Sequence, residues 1–283
     1  MTTVSASKKG YSPASVRDTA PAPNPVRTFV TLRTLQVCTP ALLGLLTAAS
    51  FVPTRQLLPL IPLMGATVAG GLSLYFRAVF HHRTRWGYPL QTTLPETTGN
   101  AVALTFDDGP HPATTPDLLD TLSRFGARAT FFVVAERARE FPDLVREIER
   151  QGHTIGLHGL RHRAMVGQKA SVVRRELAEA ERILCEILGK PLQPRLLRPP
   201  HGFKTPTLCR IACRAGWTLV SWSNDPHDYD SISAESLLAR CVNGIEARDI
   251  VLLHERPHSP TANIMLPELL TCLRQRHLQP IAL

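Results

Sequence analysis

Short apolar runs alternate with helical segments along residues 101–283, and this alternation constrains the fold more than any other feature of the sequence. The runs, which predict strands, are residues 101–106, 129–134, 153–157, 195–198, 217–222, 249–254 and 278–282. The segments between them predict helices at 114–125, 136–151, within 169–188, and at 205–215, 234–244 and 261–276. Strands that alternate with helices favour a parallel sheet in an α/β fold. About seven such units predict a small, distorted (β/α) barrel that need not be complete.

Two adjacent carboxylates, Asp107 and Asp108, end the first apolar run and are followed by a Gly-Pro turn. Because successive strand residues point to opposite faces, one carboxylate can hold a metal while the other acts as a base. A lone aspartate at this point would more often cap the helix that follows. Two neighbouring anions, however, destabilise a fold unless something offsets them. The pair therefore predicts cations or metal ligands further along the chain.

The other prominent polar residues also follow predicted strands, and they are His158, His162, Arg198, Asp225, Asp228 and His254. In (β/α) barrels the active site forms where the strands end. His158 and His162 are four residues apart, which brings them together on one helical turn, and with one carboxylate they suit a catalytic zinc ion. Arg198 can pair with a carboxylate and keep it ionised. A histidine charged by a carboxylate, as we expect for His254, suits a general acid.

Five segments, in this order, resemble the polysaccharide deacetylases, also called the NodB-homology domain or carbohydrate esterase family 4. They are Thr-Phe-Asp-Asp-Gly-Pro at 105–110, His-xxx-His at 158–162, Arg-Pro-Pro-His-Gly at 198–202, the segment 222–229, and Leu-Leu-His at 252–254. The similarity covers about residues 99–283. It implies a hydrolase that removes N-acetyl groups from a glycan such as peptidoglycan, a chitin-like chain or poly-N-acetylglucosamine. It also implies a divalent metal ion, with zinc favoured and cobalt, nickel or manganese as alternatives.

The resemblance assigns a role to each matching position. Asp107 is expected to be the base, Asp108, His158 and His162 the metal ligands, Arg198 the partner of Asp107, and Asp228 the group that orients and charges the acid His254. The backbone amide of His201 is expected to help hold the oxyanion, and Gly202, Trp222 and Tyr229 to line the substrate site with it.

Three positions depart from the family pattern. Gly159 stands where Ser or Thr is usual, His201 where Tyr is common, and Tyr229 where Trp is common. The last two changes leave the substrate open. An O-acetyl esterase, an amidase acting on a non-sugar amide, and an inactive glycan-binding membrane protein remain alternatives.

The N-terminal third differs in composition from the rest. The chain carries 32 Lys+Arg against 23 Asp+Glu, but residues 97–283 hold 23 bases and 21 acids, so the excess lies mainly before them. Residues 1–33 predict a disordered basic arm, and residues 77–98 a linker. Residues 34–54 and 56–76 carry no charge, and each is about the 20 residues that a helix needs to cross a bilayer. Basic residues beside apolar runs indicate membrane topology rather than nucleic-acid binding.

Two predicted transmembrane helices make the chain an integral membrane protein whose partners are a glycan and the lipid bilayer. A soluble helical hairpin and a cleaved signal peptide are the weaker alternatives. The side of the membrane stays open, because a hairpin with basic flanks keeps the domain in the cytoplasm, whereas a single span places it outside. Nothing in the sequence points to a protein partner.

Overall fold

A computed structural model describes residues 60–81, 83–230, 232–255 and 261–283. The chain forms two compact units, Met1–Ala66 and Thr67–Leu283. Of the first unit, only the start of helix α1 (Leu60–Phe80) is described. The predicted arm at 1–33 and the first charge-free run at 34–54 lie outside the described residues. Every residue of the candidate site belongs to the second unit.

Within the described residues, the second unit is built on a sheet of parallel strands in the order β5-β4-β3-β2-β1-β6, with β7 paired to the start of β1. The strands are β1 (Ala101–Asp107), β2 (Thr130–Val133), β3 (Thr154–Leu157), β4 (Leu196–Leu197), β5 (Thr218–Leu219), β6 (Ile250–His254) and β7 (Gln279–Ile281). Beyond β5, Asn224 forms a bridge with Val251 of β6, so the two edges of the sheet approach each other. The predicted α/β class is confirmed, and the architecture is a parallel half-barrel.

The helices that connect the strands are α2 (Thr115–Arg124), α3 (Ala135–Glu140), α4 (Pro142–Arg150), α5 (Ala170–Leu188), α6 (Pro206–Arg214), α7 (Ala234–Gly244) and α8 (Thr261–Gln275). The sequence pattern predicts one helix at 136–151, and the structure divides it into α3 and α4. Phe141 between them has φ −127° and ψ 59°, which is not helical. Its conformation follows from Pro142, because the proline ring disfavours helical geometry in the residue before it.

Two apolar cores cover the two faces of the sheet. All seven residues of β1 are buried, as expected for a central strand in a parallel sheet. Val102, Leu104 and Phe106 join the larger core between the sheet and the helices. Ala101 and Ala103, on the opposite face, join a smaller core inside the half-barrel, with Phe132, Leu196, Ile250 and Leu252 among its members. The alternation of side chains therefore separates an outer face from an inner one.

The second unit extends beyond the N-terminal boundary that the sequence predicts at residue 99. The N–H of Gln91 donates to Leu219 O at 2.9 Å, and Gln91 O accepts from Ser221 N at 2.8 Å. Leu90 and Leu94 are 8% and 3% exposed. The latter half of the predicted linker at 77–98 is thus packed on the domain, because its apolar residues complete the two cores.

The second charge-free run, 56–76, overlaps α1 from residue 60 onwards. None of the helices within the described ranges is long and apolar enough to span a membrane. The membrane assignment stays a prediction.

Candidate active site

Four of the predicted site residues lie on the inner face of the half-barrel, at one edge of the sheet. Counting in steps of two from the inner-face residues leads to Asp107 in β1, Arg198 after β4, and His254 in β6. His158 follows β3 in the same way from Gly156, where a Cβ would lie 2.5 Å from the ring of inner-facing Phe132. Asp107 and His254 are direct neighbours, since their Cα atoms are partners in the pairing of β1 with β6.

Asp108, His158 and His162 bring their ligand atoms within 4.8 Å of one another. Asp108 adopts φ 75°, which turns the chain out of β1. Its Oδ1 lies 3.4 Å from His158 Nε2 and 3.0 Å from His162 Nε2, yet within the described part of the chain this buried oxygen accepts no well-aligned hydrogen bond. Burial favours the neutral acid, but the two imidazoles outweigh it and hold the pKa of Asp108 well below its ordinary value. Two imidazoles and an anionic carboxylate fit a divalent transition metal.

The other ring nitrogen of His158 fixes which nitrogen can bind a metal. His158 Nδ1 lies 2.8 Å from the carbonyl oxygen of Arg198. A carbonyl only accepts hydrogen bonds, so Nδ1 carries a proton and Nε2 is the nitrogen left to bind a metal. The main chain of Arg198 thereby orients a metal ligand.

The side chain of Arg198 is fully buried and holds Asp107. Its Nη1 donates to Asp107 Oδ1 and to Thr105 Oγ1, each at 2.7 Å, and its Nη2 donates to Ser221 O at 2.9 Å. The guanidinium also lies over the ring of Phe132, 4.1 Å from its centre. Asp107 is 2% exposed, and its Oδ2 lies 3.8 Å from His158 Nε2. One carboxylate oxygen is therefore hydrogen-bonded to the arginine, while the other faces the cluster of Asp108, His158 and His162, which we name the metal set.

Asp228 accepts two hydrogen bonds from His254. Its Oδ1 accepts from His254 Nδ1 at 2.7 Å and its Oδ2 from the His254 backbone N–H at 2.6 Å. Burial opposes the charged imidazolium, but the hydrogen bond and charge of Asp228, with the charges of Asp107 and Asp108, raise the pKa of His254 to about 9. His254 is therefore protonated near neutral pH, as a general acid requires.

The loop at 198–202 places His201 beside the metal set. The ring of His201 lies 4.4 Å from that of His162, centre to centre. Desolvation by the surrounding site, followed by the charges of His162 and His158, lowers the pKa of His201 to about 4, although the residue as a whole is exposed. His201 has φ 58°, and its N–H donates to no acceptor among the described residues. This amide is thus available to a ligand.

Gly202 and Trp222 pack against each other beside Arg198. Gly202 has φ 66°, and a Cβ on it would lie 2.4 Å from the indole of Trp222. Trp222 is 9% exposed and lies under Arg198, 5.7 Å from ring centre to guanidinium carbon. The indole therefore occupies the space that the missing Cβ of Gly202 leaves. The substrate-lining roles of Gly202 and Trp222 stay predictions.

Tyr229 is 41% exposed at the rim of the site. Its ring meets the edge of His254 at 5.7 Å, and its hydroxyl donates to Asp225 Oδ2 at 3.1 Å. The hydroxyl also lies 2.8 Å from His227 Nδ1. Tyr229 thus lies where a substrate can contact it, beside His254.

Sequence reasoning missed two residues that support the metal-ligand loop. Arg137 Nη1 donates to the carbonyl oxygen of Asp108 at 2.7 Å. Glu255 is 1% exposed, accepts from Thr115 Oγ1, and donates its N–H to Asp107 O at 2.9 Å. Burial, opposed by Thr115 and Arg137, raises the pKa of Glu255 to about 8. The position of Glu255 directly after His254 was a usable signal, whereas Arg137 lies on a helix and had none.

Comparisons with known proteins agree with this geometry. The model of the family described as polysaccharide deacetylase matches residues 95–220. A peptidoglycan-N-acetylglucosamine deacetylase of Bacillus cereus is 33% identical over 175 residues, which are 59% of this chain and 81% of the relative. A chitooligosaccharide deacetylase of Azorhizobium caulinodans is 31% identical over 156 residues, or 55% of this chain and 74% of the relative.

Among solved structures, the Bc1960 peptidoglycan N-acetylglucosamine deacetylase resembles this chain with a TM-score of 0.65 at 28% identity, covering 69% of this chain and 91% of that one. The resemblance inferred from the five sequence segments is confirmed. The chain therefore belongs to the polysaccharide deacetylase family and is a hydrolase that acts on non-peptide carbon–nitrogen bonds.

Proposed function

We propose that this protein removes N-acetyl groups from an N-acetylated glycan, such as peptidoglycan, a chitin-like chain or poly-N-acetylglucosamine, with the help of a divalent metal ion. The observation that carries the proposal is the pairing of Asp107 with His254 on adjacent strands, next to the cluster of Asp108, His158 and His162. This arrangement joins a base, an acid and a metal-ligand set at one edge of the sheet. The relatives named above act on two such glycans.

Asp107 is suited to take a proton from the attacking water. Arg198 Nη1 donates to Asp107 Oδ1, while Asp107 Oδ2 faces the metal set. The water oxygen adds to the acetyl carbonyl carbon, and the N–H of His201 can donate to the oxyanion that forms. His254 then gives its proton to the departing nitrogen as the carbon–nitrogen bond breaks. The products are acetate and the free amine of the sugar.

The metal ligands are Asp108, His158 and His162, and zinc is the ion that we favour, with cobalt, nickel and manganese as alternatives. When bound, such an ion acts as a Lewis acid toward the acyl oxygen and acidifies water. The residues around it define its place: Arg198 O fixes the tautomer of His158, and Arg137 holds the main chain at Asp108.

The protonated state of His254 favours an amide over an ester as the substrate. An amine must gain a proton as it leaves, and a histidine whose pKa is about 9 supplies one at neutral pH. An O-acetyl esterase or a non-sugar amidase would use the same residues. An inactive glycan-binding protein is the least supported alternative, because every position with an assigned catalytic role carries a residue that can perform it.

A membrane location is supported by the charge-free runs and by the surface of α1. Val68, Leu74 and Tyr75 of this helix are 49%, 70% and 41% exposed. They are three of the six large hydrophobic side chains that are exposed in the described part of the chain. Apolar side chains on several sides of one helix favour an apolar environment. The side of the membrane that carries the catalytic unit stays open.

Acetate release tests the activity. The purified full-length protein is incubated with chitooligosaccharides, peptidoglycan and an O-acetylated glycan, before and after chelation and re-addition of zinc. We expect zinc-dependent acetate release from the N-acetylated substrates and much less from the ester. Release from the ester alone, or release that survives complete metal removal, would contradict the proposal.

Fractionation tests the location. A membrane protein stays in the pellet after carbonate extraction, and protease added to spheroplasts cuts the catalytic unit only if it faces outside. Recovery of the full-length protein in the soluble fraction would remove the membrane proposal without affecting the enzymatic one.

A further inference from the structure

A row of three aromatic rings leads from the metal ligands to the N-terminal helix. The ring of His201, which lies beside His162, is 5.4 Å from that of Phe203, and Phe203 meets Phe80 of α1 edge to face at 4.6 Å. His201 is exposed, Phe203 half-buried, and Phe80 37% exposed. We name the rings of His201, Phe203 and Phe80 the aromatic shelf.

Buried contacts hold the two halves of the shelf together. Lys204 is 1% exposed, and its N–H donates to Val79 O at 3.2 Å, immediately before Phe80. Its Nζ donates to Gly202 O at 3.0 Å, and its own carbonyl accepts from Trp86 Nε1 at 3.1 Å. The end of α1 is thus fixed to the loop that carries His201, and Phe80 has a defined position relative to the metal set.

The shelf is continuous with the catalytic residues. His201 contacts His162 at one end, whereas Tyr229 borders His254 on the other side of the acid–base pair. A glycan whose acetamido group reaches the metal set must extend past one or both of these aromatic borders. Pyranose rings present apolar C–H faces, which pack on aromatic rings.

We propose that the aromatic shelf is a binding subsite for a neighbouring sugar ring of the glycan, and that Phe80 is a specificity-determining residue supplied by the N-terminal helix. This inference rests on the proposed function, because it takes the substrate to be a glycan. Phe80 lies outside residues 95–220, which the family model matches. Phe80 therefore joins the subsite from outside the matched region, whereas His201 and Phe203 lie within it.

Chain-length dependence tests the shelf. For full-length protein in detergent, kcat and KM are measured on N-acetylated chitobiose and chitotetraose. In Phe80→Ala, the ratio of kcat/KM for the tetramer to that for the dimer should fall about two- to tenfold, mainly through KM, which is the range expected for one aromatic contact. Leu74→Ala removes a more exposed apolar side chain from the same helix and should leave that ratio unchanged.

Two further variants distinguish a direct contact of Phe80 with the sugar from structural support of the loop. Phe80→Trp keeps an aromatic face and should keep the ratio, whereas Phe80→Leu keeps an apolar side chain without a ring and should lower it. A wild-type ratio in Phe80→Leu would mean that Phe80 only supports the loop, and an equal loss on both substrates would mean that the loop is distorted. Either outcome would overturn the proposal, as would an unchanged ratio in Phe80→Ala.

Binding measured without turnover separates this inference from the proposed function. Calorimetric titration of the tetramer into the Asp107→Asn protein gives its Kd with and without Phe80→Ala. A two- to tenfold weaker Kd supports the shelf even if no glycan releases acetate, in which case the proposed activity alone fails. Equal Kd values, or no binding of the tetramer at all, count against the shelf.

Discussion

Replacing Asp228 with asparagine tests the assignment of His254 as the general acid. The charge of Asp228 raises the pKa of His254 to about 9, against the opposing effect of burial. Asparagine carries no charge, while burial stays, so the pKa of His254 should fall to its ordinary value of about 6.5 or below. A metal ion at Asp108 would oppose the contributions of Asp107 and Asp108 to this pKa, but it would leave in place the hydrogen bond that His254 Nδ1 donates to Asp228.

The expected loss of activity depends on pH. With a pKa of about 9, about 90% of His254 is protonated at pH 8, whereas with a pKa of about 6.5 only about 3% is, so activity should fall roughly 30-fold. At pH 6 His254 is mostly protonated in both proteins, and the difference should shrink to a few fold at most. The assay is the pH profile of kcat for acetate release between pH 5 and 10. An alkaline limb that does not move in Asp228→Asn would refute the role of His254.

The free energy of unfolding should also depend on the protonation of His254. Because the pKa of His254 is raised on folding, its contribution is fully present below pH 6.5 and is lost as pH rises through about 9. The shift corresponds to as much as about 3 kcal/mol of unfolding free energy. Asp230→Asn is a matched control, since Asp230 is exposed and pairs with Arg240, and among the described residues it forms no ion pair with His254. Denaturant titrations at pH 6 and pH 10 should show this pH dependence in the wild type and Asp230→Asn, but not in Asp228→Asn.

Four other changes probe the remaining parts of the site. His158→Ala should lose most bound metal, measured by elemental analysis, while circular dichroism shows a folded domain; full metal retention would remove His158 from the ligand set. Asp107→Asn should keep its metal and lose about 10² to 10⁴-fold in kcat, and near wild-type turnover would exclude Asp107 as the base. Gly202→Ala should lower the melting temperature, because a Cβ would lie 2.4 Å from a buried indole and φ is 66° there, so an unchanged melting temperature would contradict this packing. Removing the first 95 residues, rather than the first 66, also deletes three buried apolar side chains, Val79, Leu90 and Leu94, and should destabilise the domain by a further ~4 to 9 kcal/mol (roughly 1.5 to 3 kcal/mol each), measured by urea unfolding.

Much of the catalytic geometry was predictable from the sequence, because it depends on periodicity within single elements. The alternation of strands and helices predicts a parallel sheet, and parallel strands end at one edge. A period of two within each strand then places Asp107, Arg198 and His254 on the same face. His158 and His162 do come together beside Asp108, as predicted. The predicted helical turn is wrong, because residues 158–162 form a bend in which Gly159 has φ 87°.

Tertiary structure alone decided the contacts between elements that are far apart in the chain. No local pattern shows that Trp222 lies under Gly202, that Arg137 on a helix reaches the main chain of Asp108, or that Phe80 meets Phe203. The predicted linker likewise gives no sign that part of it docks on the domain. Local periodicity sets the direction of a side chain within its own strand or helix, whereas the partner that it meets depends on how the intervening loops return the chain, and that is settled only when the whole core packs.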